Sequence, residues 1–191
     1  MRVPVLSAEE VQVLLTHLEK CSPRNNLIIR FMLQCGLRAG EVSALNIENV
    51  WRAGYVHPAV YLPRSTTKGH VARYVDMPRP VKELVGAYVT AAEKLISPLS
   101  PESPLFQGLF DRGRLQVSGI ERLTANISKE AIGRTVHPHL LRHTFATILL
   151  NYTNIRVVQM LLGHAKLNTT EIYLHPNSEE CRTAVNQAFN R

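Results

Sequence analysis

Long apolar runs are missing: nowhere in the 191-residue chain do 18 apolar residues follow one another, so no helix of bilayer-spanning length is expected. The stretch from Met1 to Ser7 carries no apolar core of the kind a secretory leader needs, and the expected setting is soluble and cytoplasmic. Cysteine is scarce. Cys21, Cys35 and Cys181 form no close pair, which excludes a disulfide framework and a Cys-x-x-Cys metal site and fits a reducing compartment. Acidic residues fall short as well: 15 Asp and Glu oppose 22 Lys and Arg, giving a net charge of +7 that favours a polyanionic partner. Repeats, low-complexity tracts and a second domain are also lacking. With 45% hydrophobic residues, the chain can bury one core without disulfides or metal.

What is present is mostly helical punctuation. Ser7-Ala8-Glu9-Glu10 has capping-box spacing ahead of Val11, Leu14, Leu15 and Leu18, which predicts a helix from about Ser7 to Glu19. Leu27, Ile28, Phe31 and Met32 predict a second helix ending at Gly36, and a short third should carry Glu41, Val42 and Leu45, placing Arg38 at a helix junction. From Val50 to Met77, Tyr55-Val56, Val60-Tyr61-Leu62 and Val71 to Val75 are β-type runs, expected to form one small antiparallel sheet with Lys68 at or beside a hairpin turn. Pro80 should start a helix reaching Ile96. Ser118 opens a second capping-box pattern and a helix to Ile132, Pro138 opens another, and Asn154 caps one that ends at Gly163. Cys181, Ala184, Val185, Ala188 and Phe189 form a narrow stripe on a last helix over 178–189, which packs on its own core or docks on a neighbouring subunit. The fold class expected is α+β, mainly α-helical with a small three-stranded antiparallel sheet.

Three segments carry chemistry. Arg38 lies in Cys35-Gly36-Leu37-Arg38-Ala39-Gly40-Glu41, and Arg142 in His137-Pro138-His139-Leu140-Leu141-Arg142-His143. The third runs from Leu162-Gly163-His164 to Thr169-Thr170-Glu171-Ile172-Tyr173. Guanidinium forks grip phosphate oxygens bidentately, and a phenol beside such a clamp can attack phosphorus. His139 and Arg142, three apart on one helix, share a face and can meet the same phosphate. The pattern points to cutting and rejoining a nucleic-acid strand.

These boxes, in their order and intervals, resemble the catalytic domain of the tyrosine recombinases, the phage-integrase family. Gly36 to Glu41 is similar to the first box, Thr67-Lys68-Gly69 with Arg73 to the β-hairpin lysine box, and His137 to Thr147 to the His-x-x-Arg box. Leu161-Leu162-Gly163-His164, followed nine positions later by Tyr173, completes the set. The resemblance covers nearly the whole chain. It implies the DNA breaking-rejoining fold and, as catalytic residues, Arg38, Lys68, His139, Arg142, His164 and Tyr173, braced by Glu41. In it Tyr173 attacks the scissile phosphate and takes the 3′ end, Arg38 and Arg142 hold the non-bridging oxygens, and Lys68 protonates the departing 5′ oxygen. His139 assists proton transfer at the nucleophile, and His164 bonds phosphate or orients the tyrosine. It implies no metal, no ATP and no other cofactor. Double-stranded DNA and other recombinase subunits, a tetramer on two sites, are the implied partners, with no membrane.

Expectations around that core are less specific. Residues 1–191 should form a single catalytic domain with no core-binding domain ahead of it. Arg73, Arg112, Arg114, Lys129, Arg134, Arg156 and Lys166 are candidates for contact with DNA phosphates, each weighed against a solvated surface. Trp51 and the tyrosines other than Tyr173 are read as core. His139 and His143 at i, i+4 could suggest zinc, but Leu140 stands where a zincin has Glu, so His143 is read as a satisfied core histidine. A type IB topoisomerase and a catalytically lapsed DNA-binding protein are the alternatives.

Overall fold

The structure, a computed structural model, describes residues 4–67, 72–95, 99–108, 113–163 and 178–190. Ser7 caps α1 (Ala8–Leu18) reciprocally: its hydroxyl accepts the Glu10 N–H at 3.1 Å, and the Glu10 carboxylate accepts the Ser7 N–H at 2.8 Å. Pro23 then opens α2 (Pro23–Gln34), where a missing N–H costs nothing because first-turn donors have no intrahelical acceptor. This helix is the centre of the molecule. Leu27, Ile28, Ile29, Phe31, Met32 and Leu33 are all buried, so its apolar surface covers everything but the stripe of Asn26, Arg30 and Gln34, which is buried too. It is met by α3 (Ala39–Ala44), α4 (Arg79–Leu95), α5 (Val117–Ile132) and α6 (Pro138–Leu149). Each such side chain contributes about 1.5–3 kcal/mol by leaving water. The polar residues of α2 satisfy one another inside: Arg30 Nε donates to Asn26 Oδ1 at 2.7 Å and Nη1 to Gln34 Oε1 at 3.0 Å, while Nη2 pairs with Glu19.

Antiparallel pairing occurs as expected, but the described strands make two two-stranded units rather than one three-stranded sheet. β1 (Trp51–Arg52) pairs with β2 (Tyr55–Val56), and β3 (Ala59–Leu62) with β4 (Arg73–Asp76). Pro58, between β2 and β3, has no N–H for a ladder, so the chain leaves the first pair before entering the second. Along β3 and β4 the alternation is strict: Val60, Leu62 and Val75 are buried, while the directly opposed Tyr61 and Tyr74 pack on the outer side with centroids 5.1 Å apart and rings tilted by 40°. Tyr55, Tyr61 and Tyr74 are thus exposed rather than core, because a two-stranded ribbon covers only one face. Trp51 is buried, and its Nε1 donates to Glu93 at 3.1 Å.

The helix expected to be capped by Ser118 starts two residues earlier. α5 begins at Val117 with Gln116 as its cap, since the Gln116 carbonyl already accepts the N–H groups of Gly119 and Ile120 and closes the first turn. Asn154 caps α7 (Ile155–Leu162) through its Oδ1, which accepts the N–H groups of Arg156 at 3.0 Å and Val157 at 3.1 Å. Asn154→Ala should therefore lower the unfolding free energy by about 1 kcal/mol, read as an earlier urea midpoint with unchanged slope. α8 (Ser178–Phe189) lays Cys181, Ala184, Val185 and Phe189 against α6 and α7 of its own chain, and the Phe189 ring stacks on Phe145 at 5.5 Å. Beyond it, Asn190 Oδ1 accepts the first N–H of α4, from Arg79, at 2.6 Å. Among the described residues no helix is long and apolar enough to cross a membrane.

Candidate active site

Glu41 organises the site. It is the third residue of α3, so its carboxylate folds back to accept the Arg38 N–H at 2.8 Å, and the Arg38 Nη1 reaches the same group at 3.0 Å. Across from it, Arg73 on β4 presents a parallel fork: Nη1 to Oε1 at 2.9 Å and Nη2 to Oε2 at 3.0 Å. Arg142, from the face of α6 beside the buried Leu141 and Phe145, brings Nη1 to 3.8 Å from Oε2. The Glu41 side chain is only 1% exposed. Burial would raise its pKa, but the hydrogen bonds and charge of Arg73, the Arg38 N–H and the Arg142 cation outweigh that and hold the carboxyl below its ordinary value. Three guanidinium groups face one carboxylate, leaving an excess of two positive charges.

Backbone carbonyls fix Arg142 on both sides. Nη1 donates to the Gly36 carbonyl and Nη2 to the Leu162 carbonyl at 2.6 Å, so the turn after α2 and the end of α7 both orient this side chain. Burial, together with the neighbouring Arg38 and Arg73 cations, pushes Arg142 down to about 9, and it stays charged at neutral pH. Gly36 has φ +66°, and a Cβ there would land on the Phe145 ring. Gly163, closing α7 with φ +64°, leaves room for Arg73: a Cβ would lie 2.9 Å from its Cδ and 3.0 Å from its Nε. The positive site is thus assembled from the ends of α2, α3 and α7, the face of α6, and β4. Arg38 keeps Nε and Nη2 without a protein acceptor among the described residues, and its side chain is 25% exposed. Such donors, held in a partly dry site of net positive charge, suit the non-bridging oxygens of a phosphodiester.

Of the other sequence-derived residues, His139 is exposed on α6, one turn before Arg142. Lys68, His164 and Tyr173 lie outside the described residues, as do Arg112 and Lys166. Lys68 belongs to the connection between β3 and β4. His143 is exposed, not a core histidine: it continues the outward row of His139 and Thr147, while Leu141, Phe145 and Leu149 form the buried row. Among the expected phosphate contacts, Arg114 instead donates to the carbonyls of Ser43 and Leu45 and to Asn46 Oδ1. Arg134 forks onto Glu10 at 2.6 and 3.0 Å, Lys129 is exposed, and Arg156 is half-buried. The place of Arg73 beside Glu41 escaped the sequence reading. Its signal was the two-residue alternation of β4, which puts a cation on the inward face with Val75, where only a buried anion could satisfy it.

Residues 4–180 match the family model described as the phage integrase family. A tyrosine recombinase of Pseudothermotoga lettingae is 35% identical over 189 residues, which cover 97% of this chain and 61% of that protein. The chain spans about three fifths of the length of such relatives. Among solved structures, the crystal structure of XerA recombinase is 30% identical with a TM-score of 0.73, covering 100% of this chain and 67% of that one. XerH site-specific recombinase bound to difH substrate, in a pre-cleavage complex, is 25% identical with a TM-score of 0.70, covering 96% of this chain and 54% of that one.

Proposed function

Because the chain belongs to the phage integrase family, we propose that it is the catalytic domain of a site-specific DNA recombinase, cutting and rejoining strands through a 3′-phosphotyrosine at Tyr173. The observation that carries the reading is the convergence of Arg38 and Arg142, 104 positions apart in sequence, on one buried carboxylate with positive charge to spare. In the reaction the Tyr173 oxygen forms a bond to phosphorus as the bond to the 5′ oxygen breaks. Arg38 and Arg142 stabilise the equatorial oxygens, where negative charge grows most in the transition state, so they lower the barrier rather than merely hold the substrate. Lys68 gives its proton to the departing 5′ oxygen, and His139 receives the proton leaving the tyrosine. His164 bonds the phosphate or orients the tyrosine. One phosphodiester is exchanged for another ester of similar energy, so the freed 5′ hydroxyl of a second strand reverses the attack and completes the exchange.

The partners in this reading are double-stranded DNA and further recombinase subunits, four on two sites, in the cytoplasm or at a nucleoid. The likeness to XerH, which is bound to a DNA substrate in its crystal structure, supports the first of these. Residues 1–191 act as one catalytic domain, and α8, docked here in its own chain, is the element that would re-dock on a neighbouring subunit during assembly.

The test is covalent capture. Nicked duplexes with randomised inverted-repeat arms are incubated with the chain in chelator, run on a denaturing gel, and the adduct is mapped by mass spectrometry. A DNA-linked peptide containing Tyr173, from a restricted set of sequences, is the expected result. Scattered nicking without sequence enrichment would indicate a topoisomerase, retention without any adduct would indicate a lapsed DNA-binding protein, and linkage at another residue would refute the assignment.

A further inference from the structure

We infer that Arg73 is a positioning residue for the phosphate-binding arginines, acting through Glu41 rather than touching DNA. This rests on the recombinase reading and adds to it. Arg73 pairs in register with Leu62, so β4 turns it inward, where its side chain is 10% exposed. Its fork engages both Glu41 oxygens at 2.9 and 3.0 Å, closer than the 3.8 Å approach of Arg142, while Arg38 keeps one guanidinium bond to the same carboxylate. The division matters for charge. A carboxylate shared only between Arg38 and Arg142 would draw both onto itself. With Arg73 occupying it, Glu41 stays ionised and holds the other two in place without consuming all their donors.

Position reinforces charge. The Arg73 side chain lies over Gly163, whose conformation closes α7 next to the carbonyl that receives Arg142. Arg73 therefore touches two of the supports that aim Arg142, the Glu41 carboxylate and the α7 terminus. Its own Nε is buried without a hydrogen-bond partner among the described residues. A buried donor left unpaired is tolerated where the rest of the side chain is firmly held, as the fork onto Glu41 holds it here. A surface phosphate contact would look different, with an open guanidinium and no internal acceptor.

The experiment compares Arg73→Ala and Arg73→Lys with the unaltered chain, using a nicked duplex selected by covalent capture. Lysine keeps the cation and its aliphatic stem but not the fork, so it preserves the test should the alanine variant fold poorly. Single-turnover adduct formation should fall about 10- to 100-fold in both. The dissociation constant and the slope of log K against log salt should stay near the parent's, whereas loss of a phosphate contact would weaken binding and reduce that slope by about 1. The variant-to-parent rate ratio should also climb as pH rises from about 5 to 8, because Glu41 without its main partner is left to the upward pull of burial and ionises later. A carbon-13 titration of the Glu41 carboxyl should show the same upward movement of its midpoint, independently of activity. Parental rates in Arg73→Lys, an unmoved Glu41 midpoint, or a lowered salt slope would each overturn the inference. If the unaltered chain forms no adduct, the recombinase reading fails instead, and the Glu41 titration still decides the role of Arg73.

Discussion

Glu41→Gln is expected to slow covalent DNA attachment by about 100- to 1000-fold, the scale seen when a preorganised electrostatic contact is lost. The replacement has the same shape, which makes the effect chemical. Glutamine offers one oxygen and one amino group where Arg38, Arg73 and Arg142 all present donors, so at least one guanidinium meets an N–H. Charge changes too: the excess of two positive charges becomes three, and the arginines repel one another with no anion between them. Removing one partner from a buried ionic cluster costs about 3–5 kcal/mol, so the variant should also melt earlier. Binding to non-specific duplex should not weaken, because the site gains net positive charge. Single-turnover kinetics and urea denaturation at pH 7 check the two losses, and a variant with parental rate and stability would remove Glu41 from its central place.

The same variant predicts a pH effect. The Glu41 carboxyl is held below its ordinary value of 4.5, so between the folded and unfolded values the unfolded chain binds the extra proton. Stability from this group is therefore complete above about pH 4.5 and is lost as pH falls through the folded value. Glu41→Gln should lack that part of the acid-induced loss. The portion due to Glu10, lowered by its hydrogen bond from Arg134 and the Ser7 N–H, remains in both proteins. Denaturation curves at pH 3, 4, 5 and 7 would separate them, the gap between parent and variant narrowing toward low pH.

Gly36→Ala is the second large effect, an expected loss of about 2–5 kcal/mol of unfolding free energy. Two costs combine. The φ of +66° disfavours any side chain by about 1–2 kcal/mol, and the added methyl meets Phe145 ring carbons at less than van der Waals distance, an overpacking cost of about 1–3 kcal/mol. Phe145 cannot step aside, since it is fully buried and stacked on Phe189. Activity should fall with stability, because the Gly36 carbonyl orients Arg142. Combining Gly36→Ala with Phe145→Leu should cost less than the sum of the two single losses, which a double-mutant cycle in urea would detect.

Local signals in this chain are legible, and distant ones are not. Ser7, Pro23, Pro138, Asn154 and Gly163 mark helix ends because capping depends on residues within one turn. Arg38 and Glu41 could be paired from sequence for the same reason, being three apart on a helix start. Arg73 could not, as its partner is 32 residues away and only the β3–β4 register turns it inward. Arg114 likewise looks like a free surface cation until the fold supplies the carbonyls of Ser43 and Leu45. Strand grouping failed at Pro58 because the sequence marks a break without saying which pairs lie on either side. His143 was misplaced despite a usable signal, the helical row it shares with His139 and Thr147.

Arg38, Arg73 and Arg142 come from well-separated stretches of the polypeptide, and the Phe145 ring that seats against Gly36 belongs to the apolar cluster built by α6, α7 and α8. A nascent or half-melted chain therefore holds these cations apart, with nothing to concentrate them on a phosphate. In the recombinase reading proposed above, the capacity to cut a strand would therefore arrive only with the finished architecture, and a partly folded copy would lack it.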